Sequence, residues 1–148
     1  MEAKAHKCEL KEEGKTLDAS ASRNSRENHE QIASAIREAC NGLRVFNPAT
    51  KIDRDTHYQL SNRLAFTWKL ASLGIPTILV YLGFFGDVGI SDVGPPFADD
   101  TDWRNSFWSH AGEIVPKELF ERRLDVGSAP AWCLVRSRKV YEVSPPDV

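Results

Sequence analysis

The sequence predicts an α/β domain with a mixed sheet, built on a strand–helix–strand crossover and flanked by helices. Three observations lead there. "MEAKAH" reads as a strand at the very start, since successive side chains in an extended segment alternate and Glu2 and Lys4 then project the same way. "HYQLSNRLAFTWKL" repeats apolar residues at helical spacing, and "TILVYLGFF" is β-branched and aromatic on both alternating faces, as a central strand requires. A strand, a helical connection and a buried strand make a crossover unit.

Taken in order, the first strand is followed by "KEEGKTLDASASRNS", polar and without sustained periodicity, so residues 7–23 read as an exposed loop. A first helix is predicted from the cap in "NSREN", with Ile32, Ala35, Ile36, Ala39 and Leu43 as its apolar stripe and Asn41-Gly42 as its stop. After the connector "FNPATKIDRD" a second helix runs from about Thr56 to Leu73, carrying Leu60, Leu64, Trp68 and Ala71 inward and ended by Gly74 and Pro76. The buried strand follows, then the loop "GDVGISDVGPPFADD". A helix around Asp102 to His110, a short one from Pro116 to Leu124 and a strand "AWCLVRS" complete a single domain over 1–148, with 143–148 as a tail.

Composition narrows the function. With 19 Lys+Arg against 21 Asp+Glu the net charge is −2, so nucleic acid could be bound only through a local basic patch. Cys8, Cys40 and Cys133 are odd in number and far apart, which disfavours a disulfide framework or zinc site and suits a reducing cytoplasm. The longest apolar run, Ile75 to Phe85, is too short to span a bilayer, so no membrane partner is expected.

Glu2-x-Lys4 on a strand is the pair metal-dependent nucleases use: a carboxylate holds Mg²⁺ while the ammonium beside it steadies charge on the attacked phosphate. Roughly half of one such tripeptide arises by chance in a chain this long at average composition, and Glu9-Leu10-Lys11 is a second match. A solvated edge-strand salt pair is the plain alternative. On the second helix Gln59 and Arg63 lie one turn apart with Asn62 beside them, and the same face continues as Phe66 and Leu70. Such a polar front half can point into a cleft over the sheet, where Arg63 would suit phosphate. A solvated first turn explains it equally.

Elsewhere the sequence offers structural readings. His57 reads as a surface residue at the start of the helix. The tryptophans read as core, and Asp99, Asp100 and Asp102 as the acidic start of a helix.

Glu2 to His6 ("EAKAH"), Tyr58 to Ala65 ("YQLSNRLA"), Gly74 to Asp87 ("GIPTILVYLGFFGD") and Asp102-Trp103 together resemble an uncharacterised branch of the PD-(D/E)XK, restriction-endonuclease-like nucleases. The resemblance implies a partial core of that fold and Mg²⁺-dependent hydrolysis of DNA. It makes Glu2 and Lys4 catalytic, with Glu2 a metal ligand, and Tyr58, Gln59, Asn62 and Arg63 substrate-binding. The family also uses an acidic residue from a preceding strand. Its absence makes the chain look N-terminally truncated and low in activity by itself, with a missing N-terminal segment or a homo-oligomer as possible partners. A non-catalytic nucleic-acid-binding or protein-interaction module on the same fold is the competing class.

Overall fold

In the computed structural model, which describes residues 1–11 and 13–141, every turn of the architecture follows from one strand. β2 (Thr77–Phe85) runs parallel both to β1 (Glu2–Lys4) on one side and to β4 (Ala129–Lys139) on the other. β3 (Arg123–Val126) lies antiparallel beside β4, so the order is β1-β2-β4-β3. Parallel neighbours cannot be joined by a tight turn. The chain therefore leaves the sheet twice, through α1 (Arg23–Arg44) and α2 (Tyr58–Ser72) between β1 and β2, and through α3 (Asp100–Ala111) before β3 and β4.

Both excursions step in the same direction across the sheet, and right-handed crossovers that do so leave their helices on one face. That face is where α2 and α3 pack. The Tyr81 ring lies 5.0 Å from that of Phe107 on α3, and its hydroxyl donates to the Leu60 carbonyl of α2 at 3.4 Å. Leu79, Tyr81, Cys133 and Val135 are buried beneath the helices, and burial pushes the Tyr81 hydroxyl well above its ordinary pKa. Trp103 and Phe107 fill the α3 side of this core, as expected of Trp103; Trp68 and Trp108 are only partly buried, and Trp132 points to the other face of the sheet.

The second helix and the central strand fall where the sequence places them, with Gly74 in a left-handed conformation (φ 87°) just past α2. α3 starts at Asp99, whose carboxylate accepts from the Asp102 amide at 2.8 Å. Three expectations fail. α1 begins earlier, at the Ser22 cap, where the hydroxyl accepts from the Ser25 amide at 3.2 Å. It also runs through Asn41-Gly42 instead of stopping, because Gly42 is there for contact: a Cβ on it would lie 2.2 Å from the Trp68 indole nitrogen. The helix expected over Pro116 to Leu124 is a single 3₁₀ turn (Lys117–Leu119) followed by β3. Glu121 sits at φ 58° and its amide donates to the Cys133 carbonyl at 2.9 Å, drawing the chain into the sheet. Leu124 and Val126 are then buried alternately, and Gly127-Ser128 turns the hairpin.

Residues 7–23 hold one 3₁₀ turn (Lys7–Glu9), and α1 takes residue 23. The described part of this segment is tied down by backbone bonds, with the Lys15 amide donating to the Arg54 carbonyl at 2.9 Å and the Tyr58 amide to the Glu13 carbonyl at 3.1 Å. The expected tail, 143–148, lies outside the described residues. Among the described residues no helix is long and apolar enough to cross a membrane.

Gly83 stands where β2 passes under α3, and a Cβ there would fall 2.2 Å from the Trp103 ring. Gly83→Ala is expected to lower unfolding free energy in urea by about 1–3 kcal/mol, the cost of overpacking a filled core. A midpoint unchanged from wild type would contradict this packing.

Candidate functional site

β1 is an edge strand, and its register pairs Glu2 with Tyr81 and Lys4 with Gly83. Both side chains therefore rise from the helix-covered face. α2 crosses above them, and its 3.6-residue period turns Gln59 and Arg63 down toward the strand. The Lys4 ammonium donates to the Gln59 side-chain oxygen at 3.1 Å and lies 3.3 Å from Glu2 Oε1. Arg63 Nε donates to Glu2 Oε2 at 2.8 Å. Two residues of a strand and two of a helix, 55 and 61 positions apart, thus form one polar cluster.

The side chains of Lys4 and Glu2 are only 11% and 16% exposed, so this is no solvated edge pair, while Arg63 keeps half its surface in water. Burial by itself would raise the Glu2 carboxyl. The hydrogen bonds and charges of Arg63 and Lys4 outweigh it and hold the group below its ordinary 4.5. The same bond raises Arg63. Two cations around one carboxylate leave the cluster with a net positive charge.

Of the other predicted contacts, Tyr58 lines a cavity of about 540 Å³ that opens beside Lys4 and Gln59. Its hydroxyl accepts from Lys15 Nζ at 3.5 Å. Asn62 does not join them. It lies about 100° around the helix from Arg63 and lines a groove against α1 with Ile32, Ala35 and Phe66. The acidic start of α3 is engaged elsewhere, Asp102 with Lys7 at 2.7 Å and Asp100 with Arg104.

Sequence reasoning missed three neighbours. His6, from the end of the predicted strand, and Lys11, from the segment read as a loop, line the same cavity as Tyr58. Glu9, in the second Glu-x-Lys match, folds back to accept from the His6 amide at 3.2 Å and so caps its own turn. His57, expected at the surface, is buried with its ring 4.9 Å from that of His110 on α3. Hydrophilic text around position 57 hides this, because burial there comes from a helix more than forty residues away.

Mg²⁺ prefers an octahedral shell of oxygens. Glu2 offers one carboxylate with a cation on each oxygen, and among the described residues no group of three His, Cys, Asp or Glu could hold a metal. These residues do not by themselves fit the ion. Comparison with protein-family models, with curated proteins and with solved structures gives no match to any of them.

The depressed carboxyl sets a pH signature. A group whose folded pKa lies below its unfolded value contributes stability above the unfolded pKa and loses it as pH falls through the folded one. The stability difference between wild type and Glu2→Gln is expected to be largest at neutral pH and to shrink below about pH 4.5. A gap of equal size at pH 7 and pH 3, read from urea unfolding, would contradict the ion cluster.

Proposed function

We propose that this chain is a restriction-endonuclease-like phosphodiesterase directed at DNA, with the Glu2–Lys4–Gln59–Arg63 cluster as its working centre. The observation that supports it is the position of the Lys4 ammonium, held between Glu2 Oε1 and Gln59 Oε1 on a strand edge open to a large cavity. Gln59 positions that ammonium. Lys4 then stabilises charge on a non-bridging phosphate oxygen, and the exposed half of Arg63 binds an adjoining phosphate. Tyr58 lies across the cavity, where its ring can take a base or sugar face. Asn62 is left out of this role by its place on the α1 side.

Mg²⁺ would enter this proposal only once a second acidic group joined Glu2; Glu2 would then be one ligand and the ion would supply Lewis-acid activation. The free thiols of Cys8, Cys40 and Cys133 suit a cytoplasmic location. One observation favours a second reading: the cations that saturate Glu2 make the cluster a phosphate receptor as it stands, which fits a non-catalytic DNA-binding module.

An assay on linear and supercoiled DNA with Mg²⁺ or Mn²⁺, paired with DNA binding in a chelator, separates the two. Binding at low salt and slow metal-dependent cleavage are expected. Glu2→Ala and Lys4→Ala should each lower cleavage about a hundredfold to a thousandfold, roughly 3–4 kcal/mol of transition-state stabilisation, and leave binding in place. Binding with no cleavage under any metal supports the module. Cleavage undiminished in Lys4→Ala ends the catalytic assignment.

A further inference from the structure

The cavity beside Lys4 holds a second chemical group, one that the cluster over β1 does not use. Of the three cysteines only Cys8 is exposed, and it lines that cavity of about 540 Å³ together with His6 and Glu9. Cys40 and Cys133 are shut in the core, where burial raises both thiols, that of Cys133 to about 12. Local folding makes the grouping: His6 follows β1 directly, and the 3₁₀ turn over Lys7–Glu9 brings the Glu9 carboxylate back onto the His6 amide.

The His6 ring stands between the other two groups. Its Nε2 lies 4.0 Å from Glu9 Oε2, and that oxygen is fixed by the amides of Ala5 at 2.5 Å and His6 at 3.2 Å. Its Nδ1, on the other edge of the ring, is sealed from water and has no hydrogen-bond partner among the described residues. Gly94 leaves a gap in front of it: a Cβ there would lie 2.7 Å from His6 Nδ1 and 3.1 Å from Cys8 Sγ. Imidazole nitrogen and thiol therefore border one small space, which any side chain at position 94 would fill. Carboxylate, imidazole and thiol in this order are the parts of an activated nucleophile, whose thiol–base contact is commonly loose until a reactant binds.

We propose that Cys8 is a nucleophilic thiol, with His6 as its base, that exchanges with small disulfides and carries the resulting mixed disulfide in this cavity. His6 Nδ1 takes the Cys8 proton, and the thiolate attacks one sulfur of the disulfide. A new S–S bond to Cys8 forms as the old one breaks, and the departing thiolate leaves with the proton from His6, so one thiol and one disulfide stand on each side of the reaction. The Glu9 carboxylate faces the charge that the ring carries in between. The backbone disfavours acyl transfer through the same thiol. The amides of Ala5, His6, Lys7, Glu9 and Leu10 all donate within the chain, which leaves none of them for an oxyanion, and disulfide exchange needs no such donor. The adduct occupies the cavity that Lys4, Gln59 and Tyr58 also line, so it closes the opening of the Glu2–Lys4 cluster.

The test is the rate at which the folded full chain takes up oxidised glutathione, a tripeptide disulfide, at neutral pH, read by intact mass and peptide mapping. A single adduct on Cys8 is expected, formed about tenfold or more faster than on Cys8 of the same chain unfolded in urea, and released by excess dithiol. His6→Gln and Gly94→Ala should each bring the rate down to that of the unfolded chain. The methyl of Gly94→Ala meets side chains and no backbone, so it parts the imidazole from the thiol while both reacting groups and the fold remain. A wild-type rate no greater than that of the unfolded chain overturns the proposal. So does a rate unchanged in whichever of the two variants keeps the native circular dichroism. The readout is the adduct itself, so its failure leaves the function proposed for the Glu2–Lys4 cluster standing, and failure of that function leaves this exchange standing.

Discussion

Parallel pairing of β2 with both of its neighbours is the constraint from which the other features descend. It obliges the chain to travel off the sheet between strands, and its handedness sends both journeys to one side. α2 is thereby laid over the β1 edge, so that residues far apart in sequence meet at Glu2 and Lys4. Among the described residues the same handedness leaves Ile78, Val80, Leu82 and Phe84 without a helix above them.

Electrostatics then decides what the site can do. A carboxylate taken largely out of water must be compensated, and here Lys4 and Arg63 do so on opposite oxygens. Removing either cation would leave Glu2 under-compensated in a half-buried place, which costs more than an exposed pair is worth. The arrangement also fixes the Lys4 ammonium through Gln59, so its direction does not depend on a bound substrate. A positive, preorganised group on a strand edge is suited to phosphate, and it is less suited to a metal that must compete with two cations for one carboxylate.

The parts legible in the sequence were those with a local signal. The alternation of Glu2 and Lys4, the helical spacing of Leu60, Leu64 and Ala71, and the apolar run Thr77 to Phe85 place β1, α2 and β2 correctly. The Gln59–Arg63 pair also reaches Glu2 and Lys4 as anticipated, whereas Phe66, expected to continue that face into the core, is exposed. What failed depended on tertiary partners. Gly42 looks like a helix stop until Trp68 is seen against it, and Arg123 and Leu124 look helical until β4 pairs with them. His57 is polar in any composition scale and is buried by α3. Asn62 is adjacent to Arg63 in sequence, but one residue of helix rotation turns it to α1.

In the proposed role, the cluster over β1 holds the phosphate backbone of DNA through Arg63. The most direct measurement is the salt dependence of duplex DNA affinity for wild type and Arg63→Gln. Each phosphate contact adds about 0.9 to the slope of log affinity against log salt concentration. Arg63→Gln should bind more weakly at low salt, with the slope reduced by about one. Identical affinity and slope for the two proteins would contradict it.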